Sequence, residues 1–295
     1  MKKDTPSKTA QYMALYRAME TRRPRSKRLF TDPYAIHFLT PAHRLLCRLA
    51  SLPPAERLFY DLIQRRIPGA LASGLARTRL IDDLLETTLQ QGAGQVIILG
   101  AGFDTRNLRL TNLQDLPIIE IDHPDTARRK LHTLSRHIKT LPKNTRYLSI
   151  DFNSQSLEDL FRQQSIDLSI PTTLIWEGVT NYLQKEAVDA VFALARKFAK
   201  GSFVIFTYID KQVLENPTLY YGAVRLIKDL DAIEERWTFG FRPEELPGYL
   251  ADFGLQLLKD AGAADYRQQY IPERKKILKG YEFYRVAMAR VDNAS

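Results

Sequence analysis

Residues 96–110 read VIILGAGFDTRNLRL. Four apolar residues run into Gly100-Ala101-Gly102, and Asp104, Thr105, Arg106 and Arg109 follow at once. A buried strand ending in two glycines lets the backbone turn tightly and leaves a ligand room to approach with no Cβ in its way. A second apolar run closes on Glu120-Ile121-Asp122, about twenty residues after Gly102. An acidic residue at that spacing can accept hydrogen bonds from the two hydroxyls of a ribose. Two ligand classes meet these demands, dinucleotides and S-adenosylmethionine. A dinucleotide wants a third Gly or Ala where this chain has Thr105, because its pyrophosphate must sit close on the helix N-terminus. Asp104 would also repel a diphosphate. S-adenosylmethionine carries a sulfonium and an ammonium group instead, so a neighbouring carboxylate helps.

Such a loop needs a sheet behind it. QVIIL (95–99), PIIEI (117–121), TRYLSI (145–150), TTLIW (172–176) and SFVIFTY (202–208) are short runs rich in β-branched and aromatic residues, with helical or mixed stretches between most of them. Strands buried on both faces and alternating with helices predict a parallel sheet covered by helices. Two later runs, LQLLK (255–259) and EFYRVAMARV (282–291), extend it, and the last follows a loop and can pair antiparallel. The first ninety residues read as helices: 9–20, about 33–50 behind an Asp32 cap with Pro33 at the first position, 55–66 after the stop at Pro53-Pro54, and 71–90. The clearest later helix is 186–199, with Gly201 just beyond it, and 243–253 is helical. The expected organisation is one domain: a helical cap (1–90), a binding core (91–209), an insertion rich in aromatics (210–247) and the end of the sheet (248–295).

Composition narrows the function classes. The chain has 295 residues, and 44% are hydrophobic, enough for a sizeable core. The single Cys47 excludes a disulfide framework and a cysteine-cluster metal site, and the five histidines form no ligand spacing, so no metal is expected. No apolar stretch reaches the ~20 residues of a membrane span, and the N-terminus lacks a signal-peptide core, so a cytoplasmic protein with no membrane partner is expected. The formal net charge is +9, and residues 1–30 carry nine Lys/Arg against Asp4 and Glu20. A basic end can meet nucleic acid, anionic lipid or an acidic substrate. We read it as a solvated end and expect no nucleic-acid partner. The sequence leaves the oligomeric state open.

ARTRLIDD (76–83), LGAGFDTRNLRL (99–110), EIDHP (120–124), Asp151-Phe152 and EGVTNYL (177–183) occur in order, with RAME (17–20) and DPYA (32–35) ahead of them. In these segments the chain resembles the leucine carboxyl methyltransferase family, and within it the bacterial branch that methylates small acids such as polyketides. The resemblance implies a class I methyltransferase (Rossmann-like) α/β fold. That fold has a seven-stranded, mostly parallel sheet with an antiparallel last strand, here with an N-terminal helical cap and an insertion after the fifth strand.

It also implies S-adenosylmethionine as cofactor, with S-adenosylhomocysteine as product, and assigns roles. Gly100, Ala101 and Gly102 would contact the cofactor through their backbone, with Asp104 ordering that loop. Asp122, followed by His123, would hold the ribose, with an ordinary helix cap ahead of Pro124 as the plainer reading of Asp122. Asp151 would accept from the adenine amino group, with Phe152 packing nearby. Arg77 would pair with the carboxylate of the methionine part; it lies four residues before Ile81, so its stem runs along the buried side of its helix, whereas Arg79 can pair with Asp83 one turn on. Arg17 would close the pocket from the cap. Glu177 would sit near the ammonium and sulfonium; a carboxylate directly after Leu174-Ile175-Trp176 has no evident structural purpose.

Glu177, Tyr182 and Tyr208 are positioning candidates, with Trp176 also flanking the pocket, and no residue stands out as a catalytic base. The expected activity is O-methylation of the carboxylate of a small organic acid. The alternatives are a nucleic-acid or protein methyltransferase and a non-enzymatic S-adenosylmethionine-binding protein. Thr105 and Asp104 disfavour a nicotinamide-linked oxidoreductase.

Overall fold

The computed structural model describes residues 8–50, 53–152, 155–272 and 279–292. Lys2, Lys3 and Asp4 of the basic end lie outside the described residues. The chain opens with helices α1 (Lys8–Thr21), α2 (Pro41–Ala50), α3 (Pro53–Arg66) and α4 (Ala70–Gln90). Strands and helices then alternate: β1 (Gln95–Leu99), α5 (Arg106–Arg109), β2 (Ile118–Asp122), α6 (Pro124–Ser135), β3 (Thr145–Ser149), α7 (Leu157–Gln163), β4 (Thr172–Trp176), α8 (Lys185–Ala195) and β5 (Phe203–Ile209). The insertion carries α9 (Gln212–Glu215) and α10 (Ala223–Ala232). The chain then continues through α11 (Leu246–Asp252), β6 (Leu255–Ala261), α12 (Ala263–Tyr270) and β7 (Tyr284–Val291).

The seven strands form one sheet in the order β3-β2-β1-β4-β5-β7-β6, and β7 runs antiparallel to both its neighbours. The strand alternation expected from sequence is met, including the antiparallel last strand. Side chains alternate across β1 as the pleat requires. Ile97 and Leu99 enter a core with Phe161 of α7, Phe192 of α8 and Leu250 of α11. Val96 and Ile98 face Leu80, Ile81 and Leu84 of α4 and Tyr266 of α12. Both faces of the sheet are therefore covered, and this is why its strands read as unbroken apolar runs. Strand order reverses between β1 and β4, and a crevice at the carboxyl ends of those strands is the usual ligand site of such a sheet.

The cap has a core of its own. Leu15, Tyr16 and Met19 of α1 pack with Phe38 and with Leu71 and Leu75 of α4. Phe103 of the glycine loop joins this cluster and stacks on Phe38 with centroids 4.5 Å apart.

Several helix boundaries differ from the sequence reading, among them the late helix, which starts at Leu246 and not at residue 243. Residues 33–50 are not one helix: a short 3-10 turn, Ala35–Phe38, is followed by extended Leu39 before α2 starts at Pro41. Thr40 precedes that proline, and a residue in that position is pushed out of the helical region. Asp32 still caps, since its Oδ1 accepts from the N–H groups of Tyr34 (3.1 Å) and Ala35 (3.0 Å). Pro53 opens α3 rather than standing outside it, as a first-turn proline can because it needs no N–H partner there. Helix α8 ends at Ala195, short of residue 199, because Lys197 and Phe198 donate to Leu194 and Ala195 in tighter three-residue turns. Among the described residues no helix is long and apolar enough to cross a membrane.

Candidate functional site

The loop after β1 is held by the end of β2. Gly100 and Ala101 donate their N–H groups to the Ile121 carbonyl at 2.8 and 3.2 Å, and Asp104 donates back to Ala101 at 2.7 Å. Both glycines have left-handed backbone, φ +61° at Gly100 and +48° at Gly102, and Gly100 has a second reason as well. A Cβ on Gly100 would lie 2.3 Å from Cγ2 of Val179, so the approach of the segment after β4 requires glycine there. Gly102 has a φ of +48°, and a Cβ on it would meet nothing closer than 3.8 Å. Its left-handed backbone, not crowding, calls for glycine.

Asp122 closes the turn from the β2 side. Its Oδ2 accepts the Gly102 N–H, and its Oδ1 accepts the His123 N–H at 2.6 Å. Burial raises its carboxyl above the usual range, and those two N–H bonds oppose the shift. The helix cap ahead of Pro124 is His123, not Asp122: Nδ1 of His123 accepts from the Asp125 N–H at 3.3 Å. Glu120 points to a different partner. It is buried against Lys130 of α6 at 2.5 Å, and burial pushes its carboxyl up to about 7 against the pull of that lysine.

Opposite the loop, across the β1–β4 reversal, stands Glu177. Its Oε1 accepts from Nε of Arg77 at 2.9 Å and its Oε2 from Nη1 of Arg106 at 3.0 Å. The carboxylate after Trp176 thus has a structural purpose, contrary to the sequence reading. Arg106 also binds Asp104 and, at 2.9 Å, Asp82. Arg109 holds both oxygens of Asp82 at 2.7 Å. Burial works against ionisation at Asp104, but Arg106 and Lys130 outweigh it and hold the carboxyl at about 2. The same balance, set by Arg106 and Arg77, keeps Glu177 below the usual range. Arg77 lies 4.6 Å over the ring of Tyr284, and one Nη is 3.5 Å from Sδ of Met13.

The cap reaches the same place. Arg17 donates from Nε to Asp32 at 2.8 Å and from Nη2 to the Phe103 carbonyl at 2.5 Å. Thr105 donates to the same Asp32 oxygen at 2.7 Å. Arg17 therefore ties α1 to the backbone of the glycine loop.

The geometry brings together Arg17, Arg77, Gly100, Ala101, Gly102, Asp104, Asp122, His123 and Glu177. Asp151 lies just past β3, where its N–H donates to Gln155 at 2.9 Å, and Phe152 packs on the core under the sheet. Tyr182 stands beside Tyr284, Trp237 and Thr9, and burial pushes its phenol up to about 12. Tyr208 is not brought to Glu177. It is fully buried, donates to Asp260 at 2.7 Å and accepts from Arg285 at 2.9 Å. Trp176 is core, edge-on to Phe192. Arg79 pairs with Asp83 at 2.9 Å, as its spacing suggests. Sequence reasoning missed Asp82, Tyr284 and the Asp32 link. Tyr284 was within reach: an antiparallel β7 must begin where the parallel strands end.

A family model described as leucine carboxyl methyltransferase matches residues 10–195. A Streptomyces coelicolor protein named "putative S-adenosyl-L-methionine-dependent methyltransferase" is 30% identical over 208 residues, 70% of either chain. A Bacillus subtilis protein named in the same way is 26% identical over 210 residues, 70% of this chain and 69% of that one. Among solved structures, a "putative methyltransferase" from Thermobifida fusca superposes with a TM-score of 0.60 at 18% identity, covering 99% of this chain and 97% of that one, a likeness of fold. The glycine loop, its Asp122 partner and the Arg77–Glu177 pair all fall within the matched span, and the chain belongs to the leucine carboxyl methyltransferase family.

Proposed function

We propose that this protein, an S-adenosylmethionine-dependent methyltransferase, methylates a carboxylate oxygen of a small organic acid and leaves a methyl ester. The observation that carries this reading is the state of Glu177, which two arginines hold ionised. A carboxylate kept that way is a poor proton acceptor. Tyr182, pushed up to about 12, stays protonated and is no base either. An acceptor that must first lose a proton gains no help from these groups. A carboxylic acid, with a pKa near ~4, arrives already ionised.

The residues present fit the cofactor. Each oxygen of Asp122 accepts one backbone N–H and keeps a lone pair for a ribose hydroxyl. A Cβ on Gly102 would meet only Cβ of Ala10 and the Gly100 carbonyl, both at 3.8 Å, so its backbone is uncrowded. Arg77 and Glu177 set a cation beside an anion at 2.9 Å, complementary to the zwitterion of an amino acid. When bound, the cofactor supplies an electrophilic methyl group on its sulfonium. Arg77, Arg106 and Arg109 balance Glu177, Asp104 and Asp82 in number, so the cluster does not repel an anionic acceptor. Asp151 is offered to the adenine, and Arg17 holds the cap over the glycine loop and excludes water. Catalysis then rests on placement and desolvation, and effective molarities for such placement reach ~10⁵ M or more.

Acid metabolites incubated with methyl-labelled cofactor should give a product that releases volatile methanol under mild alkali. Label that survives alkali would mark an ether or an N-methyl group and overturn the ester reading while leaving the cofactor reading in place.

A further inference from the structure

Among the described residues, eight large apolar side chains are exposed, and seven of them lie on the helical cap and the insertion. On α2 the outward positions are Leu45 (56% exposed), Arg48 and Leu49. On α3 they are Leu58 (59% exposed), Leu62, Arg65 and Arg66. The inner face of each helix is apolar too: Cys47 and Ala50 of α2 are buried in the cap core, and Ile63 of α3 packs against it. Helices apolar on both faces bury only one of them here, which is not how a surface helix facing only water is built.

The insertion continues the same face. Gln64 of α3 donates to the hydroxyl of Tyr221 at 3.3 Å, and Arg225 of α10 donates to the Arg65 carbonyl at 3.0 Å. Leu219, Tyr221 and Val224 are exposed beside these links. Basic side chains stand among the apolar ones, with Arg225 and Lys228 next to Val224 on α10 and Lys279 at 5.0 Å over the Tyr221 ring. Among the described side chains of α2 and α3, Arg48, Arg65 and Arg66 are exposed on this face, whereas Arg44 turns inward to the carbonyls of Ile36 and His37. Asp229 lies beside Arg225 at 3.9 Å, so the rim is mixed but carries an excess of positive charge. Scattered single leucines on a surface carry no meaning, but a contiguous apolar group rimmed by charged and polar side chains marks an interaction site.

We infer that this face docks on an anionic lipid surface, with its leucines entering the boundary between headgroups and acyl chains and its arginines among the headgroups. Charge selects this occupant over a second copy of the chain. An isologous dimer through the face would set the same arginines of both copies against one another. An anionic surface attracts the excess of positive charge that Arg48, Arg65, Arg66 and Lys228 give the face. The expectation of no membrane partner rested on the lack of a spanning segment, which is silent on docking from outside. The inference does not depend on the identity of the methyl acceptor.

The test uses the whole chain and sedimentation with vesicles of phosphatidylcholine, with and without phosphatidylglycerol. The wild type should bind only the anionic vesicles, and high salt should release it. Replacing Leu45, Leu49, Leu58 and Leu62 together by Ser keeps every charge, including those of the basic N-terminus. This variant should lose about tenfold or more in partitioning while its melting temperature and its affinity for S-adenosylhomocysteine stay unchanged. Equal binding by the variant would show that charge alone acts and overturn the docking face. Failure of the wild type to bind anionic vesicles would also overturn it. So would a wild-type dimer, seen by sedimentation velocity, that the four substitutions convert to monomer.

Discussion

Replacing Asp122 by Ala separates the task that the structure gives this carboxylate from the ribose binding proposed for it. In the protein alone it accepts the N–H groups of Gly102 and His123. His123 is partly exposed, so water can replace the acceptor there. The Gly102 N–H is left without its carboxylate; Gly102 is half-buried, so the cost falls at the lower end of the ~1–3 kcal/mol of a fully buried donor. Removing a buried charge offsets part of this, because burial already raises the Asp122 carboxyl. The net loss should be ~1 kcal/mol, a fall of roughly 2 °C in melting temperature for a chain of this size. Binding should suffer more. Hydrogen bonds from ribose hydroxyls to an ionised carboxylate contribute ~1.5–3 kcal/mol, so the dissociation constant of S-adenosylhomocysteine should rise about 10- to 150-fold. Calorimetry measures the second quantity and thermal denaturation the first. A lowered melting temperature with the dissociation constant unchanged would mean that Asp122 only braces the loop, and the ribose assignment would fall. Tight NADH binding by the wild type would refute the choice of ligand class itself.

Two further outcomes follow from the ion pairs. Glu177→Gln keeps shape and one acceptor oxygen but leaves Arg77 and Arg106 short of charge, so turnover should drop by about tenfold or more at saturating cofactor; full turnover would remove Glu177 from the site. Asp104 has a folded pKa of about 2, below its unfolded value of 3.8. Its stabilising contribution, about 2 kcal/mol, is therefore present above pH ~4 and lost as pH falls towards ~2. The denaturation free energy of Asp104→Asn should accordingly fall less steeply over that acid window than that of the wild type, and identical slopes would contradict the assignment.

The sheet was legible because its signals are local. β-branched runs punctuated by Gly100, Gly102 and Gly201 read as buried strands without reference to anything distant, and the loop ahead of the last run marked it as able to pair antiparallel. The helix ends were less legible. Their positions depend on short contests, such as Thr40 before Pro41 or the tightening after Ala195, in which propensity alone does not pick a winner. The glycine loop and Asp122 were found from chemistry and spacing, because a ligand that needs close backbone and a carboxylate dictates both. Partnership across the chain was not legible. That Glu177 answers to Arg77, 100 residues away by sequence, and to Arg106, 71 away, follows from the β1–β4 adjacency, and no run of residues encodes the pairing. Tyr208 shows the converse. Its place at a strand end resembled that of a pocket residue, yet the alternation of β5 turned it to Asp260 and Arg285. Sequence by itself determined the elements and the ligand class and named candidate residues for it, since these depend on residue type and near neighbours. Only the tertiary structure decided which charge meets which and which way each side chain faces, because those depend on segments that touch only after the sheet has formed.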